Sequence, residues 1–233
     1  MTDGTPEAAK RIPFPKADVL LTVSELAKRQ HEVEMQAHSA QIERFKSRSR
    51  NPEYSDRLIS AAKALEGWFH WVKSGPTEAK YVPREKTSEG ETNDFVVWLH
   101  GRGNEPTREA NMNCWEAVFF AAYKAGLISI AKLRTIHIKA TMAGKADATY
   151  FHSLTDSLGY KNSFPYVPSV SLTPLPGDIV FIDREYHVAL CVANGLRITV
   201  MSHWYIPRDG FNRYDIDEFT QTSTPLRFGN LPV

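Results

Sequence analysis

The sequence predicts an α+β fold, and three observations carry that prediction. Stretches free of Gly and Pro, with helical spacing of apolar residues, fill most of the first 75 positions. A helix with a smooth face of small residues then opens at Asn113-Cys114. Beyond Pro176-Gly177-Asp178, three short apolar runs separated by polar turns read as an antiparallel meander.

Taken in order, residues 1–16 contain Pro6, Pro13 and Pro15 and read as an extended arm. Thr22 and Glu25 form a capping-box pair, and a helix is predicted over 24–49, stopped by Asn51-Pro52. A second helix is predicted over 54–73, with Leu58, Ala61, Ala62, Leu65, Phe69 and Val72 at helical spacing and Ser74-Gly75-Pro76 as its stop. The two make a helical hairpin. The basic run from Phe45 to Arg50 at its turn reads as a solvated helix end, where cations suit the dipole. The charged, turn-rich stretch 83–94 reads as a linker, so the expected division is 1–92 (arm, hairpin and linker) and 93–233.

In the second part, Phe95 to Leu99 reads as a strand leading into His100-Gly101-Arg102-Gly103. Asn113 to Gly126 is the helix, with Val118, Ala121, Ala122 and Ala125 on its small face. A mostly helical or irregular stretch runs to Asn162. Strands are predicted over 179–182, 187–192 and 196–204, with a polar tip at 183–186. Ala193-Asn194-Gly195 reads as a turn that needs positive φ.

The chain has 233 residues, 42% hydrophobic and 24% charged, with 28 Lys and Arg against 27 Asp and Glu. A net charge of +1 argues against nucleic acid and against dependence on an anionic membrane surface. Cys114 and Cys191 are too few for a disulfide framework and suit a reducing compartment. No secretory leader can be drawn over the first 21 residues, and no apolar run is long enough to span a bilayer. The expectation is synthesis in the cytoplasm without a signal peptide. A metal is not expected: Cys114, Cys191, His187 and His203 include no close ligand pair, and His31 and His38 lie two turns apart on one helix.

Cys114 falls at a predicted helix start, where free amides and the dipole lower a thiol's pKa and suit it as a nucleophile. His187 opens a strand after a polar tip and is the matching general base. A third polar group should orient the imidazole from the following strand. Alternation puts Thr199 and His203 on one face and Ser202 on the other, with His203 preferred and Ser202 the alternative.

An Asn-Cys pair at a helix start, then Pro-Gly-Asp-Ile-Val-Phe-Ile, His-Val-Ala-Leu and an Asn-Gly turn, resembles the NlpC/P60 and CHAP cysteine amidases over residues 94–205. The resemblance implies a papain-like domain at 93–233, with Cys114 as nucleophile, His187 as base and His203 or Ser202 third. It implies cleavage of an amide bond in peptidoglycan stem peptides, without cofactor. Where the family reads Asp-Cys-Ser-Gly, this chain has Asn113-Cys114-Trp115-Glu116, and Trp115 is either a substrate wall or core. His100 and Arg102, just before the nucleophile helix, are placed to line the cleft. With no leader and a helical extension, the chain is similar to amidase toxins delivered by type VI secretion. That implies action in a target cell's periplasm, with a secretion component and an immunity protein as partners. Two alternatives keep the scaffold: a papain-like toxin that deamidates or cleaves a host protein, and an inactive binding module that docks a partner through Met35, Ile42 and Phe45.

Overall fold

A computed structural model describes residues 22–72, 92–145, 150–183, 187–203, 210–220 and 226–232. The arm at 1–16, most of the 83–94 linker, three residues of the 183–186 tip, and Trp204 lie outside them. The chain divides into two units, 1–40 and 41–233.

In the first unit, residues 22–40 belong to helix α1 (Val23–Ser47). The capping box opens it: Glu25 Oε2 accepts from the Thr22 amide at 2.8 Å, and Thr22 Oγ1 accepts from the Glu25 amide at 3.2 Å.

The second unit holds the end of α1, then α2 (Pro52–Ala64), β1 (His70–Trp71), α3 (Asp94–Leu99), β2 (Asn111–Met112), α4 (Cys114–Lys124), α5 (Ile130–Lys145) and α6 (Tyr150–Ser157). There follow β3 (Phe164–Pro165), β4 (Asp178–Ile182), β5 (His187–Asn194), β6 (Ile198–His203), β7 (Phe211–Asp215), α7 (Asp217–Thr220) and β8 (Leu226–Asn230). The class is α+β. A six-stranded antiparallel sheet runs in the order β3-β8-β4-β5-β6-β7, and β1 and β2 form a separate parallel pair.

Both faces of the sheet are covered, which is why β4 (DIVFI) is buried at every position rather than alternating with polar residues. Ile179, Phe181, Val188, Leu190, Met201 and Phe211 share one core with α2 and α4. Val180, Ile182, Ala189, Cys191, Val200, Tyr214 and Phe228 share the other, beneath Phe45 and Phe219. The period-2 geometry of β5 and β6 thereby sorts every side chain near the candidate site to one face or the other.

Several elements differ from expectation, each for a local reason. Residues 95–99 form helix α3, because Asn93 Oδ1 accepts from the Val96 amide at 3.0 Å and this cap outweighs the β-branched run. The second helix ends at Ala64, where Gly67 turns left-handed at φ 72°, and His70-Trp71 go on as β1. The β5–β6 turn has no positive φ at Asn194 or Gly195. A register shift between Cys191 and Ala193 adapts the ladder there, and β6 starts only at Ile198. Helix α2 packs on α4 within the second unit.

The basic run is not a solvated helix end. Arg48 Nη2 donates to Asp178 Oδ2 at 2.8 Å, with the two side chains only 8% and 1% exposed. Arg50 Nη2 donates to the Pro176 carbonyl. Ile42 is buried, and Phe45 stacks edge-on with Phe164 and Phe228 at 5.5 and 5.7 Å, so neither offers a docking surface. These residues anchor onto the Pro176-Gly177-Asp178 turn, whose Asp178 Oδ2 also accepts from the Leu175 amide at 2.7 Å. Gly177 sits at φ 92°, and a Cβ there would meet the Ser55 side chain at 2.6 Å and its Cα at 3.0 Å. Gly177→Ala is therefore expected to cost about 2–3 kcal/mol, read as a lower urea midpoint with an unchanged slope.

No helix among the described residues is long and apolar enough to cross a membrane.

Candidate active site

Cys114 is the first residue of α4, and Asn113 caps it with a side-chain oxygen that accepts from the Trp115 and Glu116 amides, both at 3.0 Å. Glu116 closes the box by accepting from the Asn113 amide at 2.8 Å. Asn93 Nδ2 donates to both Glu116 oxygens, at 2.9 and 3.0 Å, while its own oxygen caps α3. Asn93 thus ties the starts of α3 and α4 to one buried carboxylate. Sequence reasoning missed this pair, although Asn113-x-x-Glu116 repeats the spacing recognised at Thr22-x-x-Glu25.

The Cys114 thiol does not have the low pKa that its helix position predicts. Backbone amides of Val188, Trp115 and Cys114 itself favour the thiolate, but burial outweighs them and pushes the thiol up to about 12. The nearby Glu116 carboxylate adds to the rise. Only 5% of Cys114 is exposed. Cys191 is also buried and also pushed up to about 12 by desolvation; its Sγ lies 3.5 Å from the Ala193 carbonyl in the sheet's other core.

His187 and Ser202 come together. Ser202 Oγ lies 2.5 Å from His187 Nε2 and 2.9 Å from the Val188 carbonyl. A hydroxyl has one proton; given to Val188 O, it leaves Oγ to accept from Nε2–H. Both contacts are satisfied this way, and Nδ1 becomes the ring nitrogen with the lone pair. The register explains the pairing: Leu190 faces Met201, so Ala189 falls opposite Ser202, and His187 lies two residues along on the same face. Phe219 stacks near His187 at 5.9 Å between centroids.

His203, the preferred third member, lies on the other face with Met201, its ring 6.2 Å from Phe69. Its influence on His187 is electrostatic. Burial first, and repulsion from His203 second, pull His187 down to about 3. The imidazole is therefore neutral at neutral pH. The thiol's link to β5 is the Val188 amide.

The remaining predicted residues fall elsewhere. Trp115 is 1% exposed and packs near Phe151, so it is core and not a substrate wall. His100 and Arg102 sit in an exposed turn after α3, joined by a 2.8 Å contact from Arg102 Nη2 to His100 Nδ1. That is the opposite end of α3 from Asn93, and six helical residues span about 9 Å.

Glu116 gives the site a pH signature. Burial lifts its pKa to about 7, against hydrogen bonds from Asn113 and Asn93 that lower it. The folded state then holds this proton up to about pH 7, the unfolded state only to about 4.5. Stability from this group falls as pH rises across that window. His187 works the other way: the unfolded state binds more protons between about 3 and 6.5, so stability rises with pH there. Comparing Glu116→Gln with wild type cancels the histidines. The variant is expected to gain on the order of 2 kcal/mol relative to wild type between pH 5 and 7.5, measured by urea denaturation.

No protein-family model matches this chain, and neither does any curated protein.

Proposed function

We propose that the protein is a cysteine hydrolase of the papain-like type that cleaves an amide bond, with peptidoglycan stem peptides as substrate. The observation that supports this most is the seat of Cys114: the first residue of a doubly capped helix, its thiol against the Val188 amide, one residue from a histidine whose tautomer Ser202 sets. In this reading His187 is the base that takes the thiol proton as sulfur attacks the amide carbonyl, its ring turning from the Ser202 face of the sheet to the Cys114 face. The Cys114 amide, the first-turn N–H that Asn113 does not take, stabilises the oxyanion. The C–N bond breaks, the amine leaves with the proton from His187, and water activated by the same ring hydrolyses the thioester to acid and thiol. A toxin role in a target-cell periplasm, with an immunity protein, belongs to the same proposal.

Incubation of the full chain with purified peptidoglycan tests it: new soluble muropeptides, cut at an amide, are the expected product. Ser202→Ala is expected to lower kcat about ten- to a thousand-fold with KM unchanged, because Ser202 orients the base and does not hold substrate. A second reading, a non-catalytic binding module on the same scaffold, is supported by the thiol pKa of about 12. Intact peptidoglycan after prolonged incubation with folded protein favours it.

A further inference from the structure

A cavity of about 670 Å³ opens where the end of α1 meets the start of α2, and neither Cys114 nor His187 lines it. That volume is in the range of small-molecule sites. Arg44, Arg48 and Arg50 line it together with Leu58, Leu127 and Phe164, and among the described residues no acidic side chain does. The nearest carboxylate in contact, Asp178, is engaged by Arg48.

Arg48 is the decisive residue. Its side chain is 92% buried by its 8% exposure, and its plane is fixed by Phe45, with the guanidinium carbon 4.5 Å from that ring's centroid. Nη2 serves Asp178, but Nε and Nη1 are buried with no hydrogen-bond partner among the described residues, and so is Nε of Arg50. A guanidinium cannot shed its proton to relieve this, and buried donors left unpaired are costly. Three cations against one carboxylate leave the cavity electropositive, and the α2 N-terminus beside it, capped by Asn51, adds its positive dipole end. Ser49 and Ser55 add hydroxyl groups at the wall.

The geometry points to a binding site for a small organic anion, whose carboxylate or phosphate group is held by Arg48 and Arg50 while its body rests on Leu58, Leu127 and Phe164. Planar, fixed guanidinium groups beside a helix N-terminus suit both oxyanions, so two probes distinguish the source.

The test titrates the full chain with inorganic phosphate and, separately, with acetate, at ionic strength held constant with sodium chloride. Calorimetry and the shift in melting temperature read the binding. Saturable binding at least tenfold tighter for phosphate assigns a phosphate-bearing ligand; the reverse ratio assigns a carboxylate. Arg48→Lys keeps the charge and loses the planar donors, and is expected to weaken binding at least tenfold. Arg44→Gln changes a rim residue whose Nη2 also donates to the Ser163 carbonyl at 2.8 Å, and at equal folded fraction it is expected to weaken binding at least threefold. Arg213→Gln, outside the cavity, should leave it unchanged. No saturable binding by either probe overturns the proposal, as do dissociation constants unchanged in both the Arg44 and Arg48 variants, the mark of an adventitious ion only. These outcomes are independent of whether Cys114 is catalytic.

Discussion

Cys114→Ala is expected to lower amide hydrolysis by at least a thousand-fold while leaving the fold intact. The thiol is the only group in the proposed mechanism that forms a covalent bond to substrate, so nothing substitutes for it. Removing one buried sulfur from the α4 core should cost on the order of 1 kcal/mol. Cys191→Ala is the matched control. It removes an equally buried thiol from the opposite core, with similar loss of stability and no loss of turnover. Measured hydrolysis of peptidoglycan by the two variants, at equal folded fraction by circular dichroism, separates a chemical role from a packing role.

Asp178→Ala carries the largest expected loss of stability, about 3–5 kcal/mol. Burial works against both partners: it raises the Asp178 pKa and lowers that of Arg48, each against the stabilising pull of the other charge. The pair thus gains little as a pair, yet removing the carboxylate strands a buried guanidinium. It also deprives the Leu175 amide of its acceptor. A double variant that adds Arg48→Met should recover part of the loss, because no lone charge is then buried. Urea denaturation of the two single variants and the double measures this coupling.

The two predictions fall on opposite sides of what was legible in the sequence. Cys114 at a helix start, the Gly177-Asp178 turn and the β4–β6 meander were readable because each rests on local signals: a cap, a turn residue, an apolar run. The Arg48–Asp178 pair was not, since the partners are 130 positions apart and a basic helix end ordinarily faces water. The strand predicted at 95–99 failed because a single cap at Asn93 decided between two backbone forms for an apolar run. Choosing between His203, preferred from the sequence, and Ser202 is a question of face, and alternation puts the two on opposite sides. What settles which of them meets His187 is the cross-strand register, which pattern alone does not supply. The thiol pKa failed for a further reason: helix position is local, but desolvation depends on everything packed around Cys114. β3, β7 and β8 are not legible because β3 is only two residues long and FNRYD and LRFGN are short runs without a clean apolar alternation.

The most direct test of Cys114 as nucleophile is to trap the covalent intermediate. The full chain is mixed with purified peptidoglycan fragments, quenched in acid within the first turnovers, digested, and the Cys114 peptide weighed by mass spectrometry. The expected result is a mass increase on Cys114 equal to the acyl half of the cleaved stem peptide, absent from Cys191 and removed by hydroxylamine. Release of cleaved product with Cys114 unmodified and Cys114→Ala still active would contradict it.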